Sequence, residues 1–349
     1  MNLLSAVSPD GINSRALLSR IFPIFGSTSN YSLSSSVDVP GFRVADFVAF
    51  RFGISSQISV DLPAVAGTRQ FEQACLLYIL PNTSIPTSPQ REFMSFQASG
   101  VTALSVTALG NSQLRLTFPS NQEFIDFEIN ANRLYHLVVR TQGESAGGAN
   151  DGIISFWING QEIYRNDAVN WDSNDADARF GDSGFLNTYY SSTDSSTNWL
   201  FRDMVLFEGW STPDGTEPDY FRVDNTELST GTLTADNTYT VGQLTDLFDD
   251  DDGTFASGAN TGDVLSVNLS SVAANLDLVG GSVFLRHTKT TIENTEVEIT
   301  VESQDESFQH VDTFLSQTTN QFVDTTIIFD APNVVNTGLR LEVKNNDVP

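Results

Sequence analysis

Four consecutive aspartates, Asp249 to Asp252, stand immediately before Gly253. A hard cation such as calcium takes roughly six to eight oxygen ligands from carboxylates and turn carbonyls, which an acidic turn supplies. Adjacent side chains diverge, so the four cannot all aim at one ion; Asp249, Asp251 and Asp252 are the expected ligands of a structural calcium. A solvated acidic loop is the alternative, and the ligand spacing of an EF-hand is absent. No other cofactor is required. A second acidic group, Asp167, Asp172, Asp175, Asp177 and Asp182 around Trp171, reads either as an ion or ligand site or as a polar loop.

Aromatic side chains offer a different chemistry, because a flat ring presents a large apolar face at little conformational cost. Trp171, Tyr189, Tyr190 and Trp199 lie in or beside a polar stretch rich in Ser, Thr and Asn, and they are the candidate contacts for a ligand such as a sugar. Trp157 and Trp210 read as core.

Reaction chemistry finds less to work with. Retaining glycoside hydrolysis needs two carboxyls about 5 to 5.5 Å apart, projecting together into a cleft. The nearest pattern is Glu123, Asp126 and Glu128. On a strand Glu123 points away from Asp126, and an outward polar face accounts for Asp126 and Glu128. His136, His287 and His310 are widely separated and fall in no nucleophile-elbow or metal-helix motif. No glycine loop for phosphate is present. Cys75, the single cysteine, sits in the apolar run Ala74 to Tyr78 and reads as a small buried hydrophobe. The chain is therefore expected not to be an enzyme, with no catalytic residues assigned.

Strands must position whatever site there is. From about residue 40 the text alternates short runs rich in Val, Ile, Phe and Tyr with Gly, Pro, Asn and Ser clusters. Between Glu123 and Asn130 the residues Ile125, Phe127 and Ile129 fall on one face of a strand, and Asp126, Glu128 and Asn130 on the other. Val297 to Glu302 alternates as strictly. Parallel sheets would need crossover helices, and none is written here. The fold class expected is all-β: two consecutive antiparallel β-sandwich (jelly-roll) domains with a short N-terminal arm. Residues 1–39 form the arm and linker, with a short helix around Leu17, Leu18 and Ile21 that Pro23 ends. Residues 40–225 form the first sandwich and 226–349 the second, where composition shifts to four basic against twenty acidic residues.

Charge limits the partners. The 349 residues carry 44 acidic and 17 basic side chains, a formal net charge of −27, which repels nucleic acid. No stretch approaches the ~20 apolar residues of a membrane span, so membrane insertion is not expected. The first ten residues lack the basic start and apolar core of a secretory signal. An acidic surface keeps a protein soluble among salts and crowded neighbours. Together these features point to release by lysis within a particle.

Two segments resemble the concanavalin A-like and laminin-G-like jelly rolls: Arg133 to Arg140 followed by Gly152 to Tyr164 with its Asn159-Gly160 turn, and Phe201 to Trp210. Leu247 to Ser257, Val264 to Leu269, Val297 to Ser303, Phe308 to Val311 and Gly338 to Val343 resemble the galactose-binding-like, or discoidin-like, sandwiches. The pairing resembles tailed-phage virion fibre, spike or decoration proteins. It implies a non-catalytic virion structural protein of a tailed bacteriophage, located in the extracellular particle and contacting a host surface or glycan. Its partners would be other virion proteins of capsid or tail and further copies of itself, a trimer being the symmetry expected. A secreted or cell-surface bacterial carbohydrate-binding protein is the alternative, and a laminarinase-like glycoside hydrolase the second.

Overall fold

The computed structural model describes residues 1–7, 24–26, 31–33, 50–52, 56–61, 69–81, 91–98, 101–109, 113–117, 122–146, 148–169, 176–181, 199–221, 232–233, 238–241, 247, 253–269, 277–289, 295–316, 320–335 and 338–347. The chain divides into two units, Met1–Val223 and Asp224–Pro349. Every strand pairing in both is antiparallel, and the described residues contain no α-helix. The protein is all-β, built from sandwiched sheets.

Unit 1 pairs two sheets. Across sheet I run Gln161–Val169 (β13), Gly152–Ile158 (β12), Arg133–Gln142 (β11), Gln70–Ile79 (β6), Trp199–Glu208 (β15), Phe50–Phe52 (β4) and Tyr31–Leu33 (β3). Asn2–Val7 (β1) joins the same sheet on β15. Sheet II runs Gln122–Asp126 (β10), Gln113–Thr117 (β9), Val101–Leu109 (β8), Arg91–Ala98 (β7), Ala176–Gly181 (β14), Ser56–Asp61 (β5) and Ile24–Gly26 (β2). Late strands are laid between early ones, β15 between β6 and β4, and β14 between β7 and β5, as in a jelly roll.

The core lies between these sheets. Phe71, Cys75, Leu77 and Ile79 of β6, with Tyr135, Leu137 and Val139 of β11, pack against Met94, Val106, Leu114 and Leu116 of sheet II. Each fully buried side chain of this size contributes roughly 1.5 to 3 kcal/mol. Burial raises the Cys75 thiol well above its usual range, so it stays protonated and packs as an apolar group. Between Ile125 and Ile129 the expected alternation holds, with Asp126 and Glu128 outward and Ile129 buried. Asn159 and Gly160 both take positive φ, 51° and 78°, which is the turn a two-residue hairpin requires between β12 and β13.

Three strands fall among the residues expected to form the N-terminal arm and linker. Asn2–Val7, Ile24–Gly26 and Tyr31–Leu33 are strands paired within sheets I and II, because β15, β5 and β4 leave hydrogen-bonding edges that these segments satisfy. The helix read around Leu17 lies outside the described residues.

Unit 2 repeats the principle on a smaller scale. Sheet III runs Thr232–Leu233 (β16), Val264–Leu269 (β17), Leu339–Asp347 (β22), Thr295–Ser303 (β19) and Gln309–Ser316 (β20). Sheet IV pairs Asp277–His287 (β18) with Val323–Val335 (β21). Val297, Ile299 and Val301 alternate inward from β19 and meet Ile327, Phe329 and Ala331 of β21. Gly281 is required where the Phe329 ring crosses β18, since a Cβ there would lie 2.6 Å from the ring's Cζ.

Candidate functional site

Strands β6, β11, β12 and β15 of sheet I are buried on both faces. Opposite the core, β6 presents Glu72, Ala74 and Tyr78, β11 presents His136, Val138 and Arg140, β12 presents Ser155 and Trp157, and β15 presents Leu200, Val205 and Phe207, all buried. The cover is the segment 209–221, which leaves β15 at Gly209 with φ +86° and crosses this face. Phe221 packs on Phe207 with ring centroids 4.5 Å apart, and Tyr220 stacks on His136 at 4.1 Å and 28°.

A buried ion pair fastens the segment. Arg140 is 1% and Glu72 0% exposed, and Arg140 Nε donates to Glu72 Oε2 at 2.7 Å. Arg140 also donates to the Thr216 carbonyl at 2.9 Å, to Thr212 Oγ1 at 2.7 Å and to Ser211 Oγ at 3.1 Å. The second face of the clamp is Glu72, which accepts the Ser211 N–H at 3.0 Å and its hydroxyl at 2.7 Å. The guanidinium carbon lies 5.9 Å from the Trp157 ring and 5.7 Å from the Trp210 ring. Trp210 Nε1 donates to the carbonyls of Phe71 and Thr141, each at 3.2 Å. Charges so deeply placed are tolerated only when hydrogen bonds replace the lost water on both sides, as here.

The same segment carries an exposed ring. Tyr220 is 58% exposed, while His136 beneath it is 5% exposed. The His136 backbone is held from the hairpin turn, since its main-chain N–H donates to Asn159 Oδ1 at 2.8 Å and the Asn159 N–H donates to its carbonyl at 2.9 Å. Burial lowers His136 to about 4, so it is neutral at pH 7. The Glu217 carboxyl lies against Gly160 of that turn, in space a side chain would fill. Desolvation, with the Glu217 charge in second place, raises the Tyr220 phenol. The result is an aromatic plate, supported on one side and open on the other, with a carboxylate and a carboxamide close by. Such a plate stacks on the apolar face of a sugar ring while the polar groups meet hydroxyls.

Beside the start of the segment lies a cleft of about 340 Å³ lined by Arg69, Gln70, Gln142, Glu208 and Gly209. Arg69 Nε donates to Glu208 Oε1 at 2.8 Å, and Gln70 Nε2 to Gln142 Oε1 at 2.7 Å. The depression is open to solvent and its named lining side chains are polar or charged.

The predicted contacts fare unevenly. Trp171, Tyr189 and Tyr190 lie outside the described residues, as do Asp249, Asp251 and Asp252. Trp199 opens β15 opposite Ile79. Trp157 is buried and Trp210 partly buried, both in the layer around Arg140. Asp126 accepts a hydrogen bond from Gln113 at 3.2 Å on the polar face of β10. Among the described residues no group of three or more His, Cys, Asp or Glu is placed to hold a metal. Tyr220 escaped sequence reasoning because its chain neighbours resemble a linker; the signal was its place beside Pro218 and Phe221, directly after a closing strand.

No protein-family model matches the chain. No curated protein matches it either. Solved structures do. A sialidase matches at 11% identity and a TM-score of 0.34, over 59% of this chain and 19% of that chain. A Trypanosoma rangeli sialidase in complex with the inhibitor DANA matches at 14% identity and a TM-score of 0.31, over 51% and 27%. An alginate lyase in complex with alginate trisaccharide matches at 15% identity and a TM-score of 0.34, over 60% and 96%. The chain thus spans about a fifth to a quarter of the length of the sialidases it matches.

The expectation that the chain is not an enzyme finds no support in these neighbours, which are sialidases and alginate lyases matched at 10–15% identity and TM-scores of 0.31 to 0.34. That expectation rests on motifs local in sequence: paired carboxylates on one strand, a histidine in a nucleophile-elbow or metal-helix motif, and a glycine loop for phosphate. A sandwich instead joins distant residues: Glu72 and Arg140 are 68 positions apart and in contact.

Proposed function

We propose that this protein contacts carbohydrate through unit 1, with Tyr220 as the stacking surface and Glu217 and Asn159 as partners for sugar hydroxyls. The supporting observation is the pairing of an exposed Tyr220 ring with a buried, neutral His136 beneath it. A ring already held in place loses little freedom on binding. The net charge of −27 and the nearby Glu217 favour a neutral hexose over a polyanionic glycan.

A glycan array probed with the whole chain tests this. Retention of neutral hexose glycans, lost in Tyr220→Ala and weakened in Glu217→Gln, is the expected result. Wild-type retention by Tyr220→Ala would defeat the assignment.

Display of this surface on a tailed-bacteriophage virion is the fuller form of the proposal. It is supported by the acidic composition and by two sandwich units in one chain. Mass spectrometry of purified virions tests it, and absence from the particle would refute it.

A further inference from the structure

A different surface, in unit 2, has the features of a docking edge. Among the described residues β20 pairs with β19 alone. Gln309, Val311, Thr313 and Leu315 stand opposite Glu302, Thr300, Glu298 and Glu296 in that pairing. Val311 and Leu315 are 49% and 45% exposed, an apolar track along the strand's outer side.

One hydrogen bond shows which backbone groups look outward. The Thr313 N–H donates to the carboxylate of the adjacent Asp312 at 2.8 Å, so it is turned away from β19. In an antiparallel strand the groups facing one neighbour recur every second residue. The N–H and C=O groups of Gln309, Val311, Thr313 and Leu315 therefore face the open side. An exposed edge of this kind templates another strand unless something guards it. Among the described residues the guard is a carboxylate, that of Asp312.

Charge selects the occupant. Residues 226–349 hold four basic against twenty acidic side chains. Two of the four basic residues are engaged on this sheet, Arg340 with Glu302 and Glu342, and Lys344 with Glu298. A second copy of the chain would bring its own negative excess to the edge. A basic strand brings the opposite charge, and a lysine or arginine that draws Asp312 aside frees the Thr313 N–H for a ladder.

We propose that the β20 edge accepts an extended, basic segment of a partner protein as a sixth strand of sheet III. Its alternate residues are apolar and lie beside Val311 and Leu315, and its intervening Lys or Arg residues pair with Asp312.

The probe is a synthetic peptide of about nine residues alternating valine and lysine, with a valine–glutamate peptide as comparator, titrated calorimetrically into the whole chain. The lysine peptide binds and the glutamate peptide does not. Thr313→Pro removes the outward N–H, leaves the net charge alone and is tolerated at an edge; it weakens binding at least about tenfold, as loss of a ladder bond together with the strand geometry requires. Asp312→Asn weakens it as well. Binding of undiminished strength by Thr313→Pro would reduce the effect to general charge attraction and overturn the proposal, as would failure of the lysine peptide to bind. A dimer seen by sedimentation and dissolved by Thr313→Pro would also overturn it, by making a second copy the occupant. Should circular dichroism show Thr313→Pro unfolded, the double variant Val311→Ser with Leu315→Ser decides on the same criterion.

Discussion

Replacing Arg140 by methionine keeps most of the side chain's volume but removes a charge that faces Glu72 at 2.7 Å and three further acceptors in the segment 209–221. Glu72 is then left as a fully buried carboxylate with no counter-charge. Breaking one side of a buried pair typically costs about 3 to 5 kcal/mol, several times the ~0 to 1 kcal/mol of a surface pair. The molecule supplies its own probe, because all four tryptophans, Trp157, Trp171, Trp199 and Trp210, belong to unit 1. Fluorescence followed through a urea titration thus reports that unit alone. With a denaturant slope of about 2 to 3 kcal/mol/M for a unit of this size, Arg140→Met should lower the midpoint by roughly 1 to 2 M. The double variant Arg140→Met with Glu72→Met should recover much of the loss, since an apolar pair of similar volume leaves no charge stranded. A shift below about 0.4 M for the single variant, or a double variant as unstable as the sum of both singles, would show that the clamp is not the fastening described.

Other expectations follow from the same geometry. His136 sits near 4 in the fold against about 6.5 in the unfolded chain, so between these values only the unfolded chain binds the proton. Its contribution is present above pH 6.5 and is lost as pH falls toward 4, by roughly 2 to 3 kcal/mol. The difference between wild type and His136→Phe in urea midpoints across pH 4 to 7 isolates it, and a difference independent of pH would contradict it. Gly160→Val places a β-branched side chain at φ +78° and into the space held by Glu217, so it should destabilise unit 1 by at least about 2 kcal/mol in the same titration. Cys75 should resist thiol reagents in native protein and react once urea unfolds unit 1; prompt labelling without denaturant would place it elsewhere than the core.

The sandwich was legible where one face of a strand is wet. Val297 to Glu302 and Glu123 to Asn130 alternate because half their side chains meet water, and the Asn159-Gly160 turn declares itself because few other dipeptides tolerate two positive φ values. The second buried layer on sheet I was not legible. Strand β6 is buried on both faces, so period two vanishes from Phe71 to Ile79 and no pattern says that something covers its back. The cover itself, 209–221, reads as a polar linker because Ser211, Thr212 and the Thr216 carbonyl accept their bonds from an arginine 71 to 76 positions earlier in the chain. Tyr220 was lost with it. The aromatic residues that stand out in the sequence lie in a polar Ser- and Thr-rich stretch, whereas Tyr220 lies in a segment whose place depends on that arginine.

The pairing of Asn2–Val7 with Met204–Glu208 has a bearing on how the molecule is made. Once synthesised, Asn2–Val7 must wait for a partner encoded some two hundred codons downstream, about 10 to 40 s at ordinary elongation rates. During that interval the nascent chain carries unpaired edges whose native neighbours do not yet exist, which makes early aggregation, rather than final stability, the hazard for production.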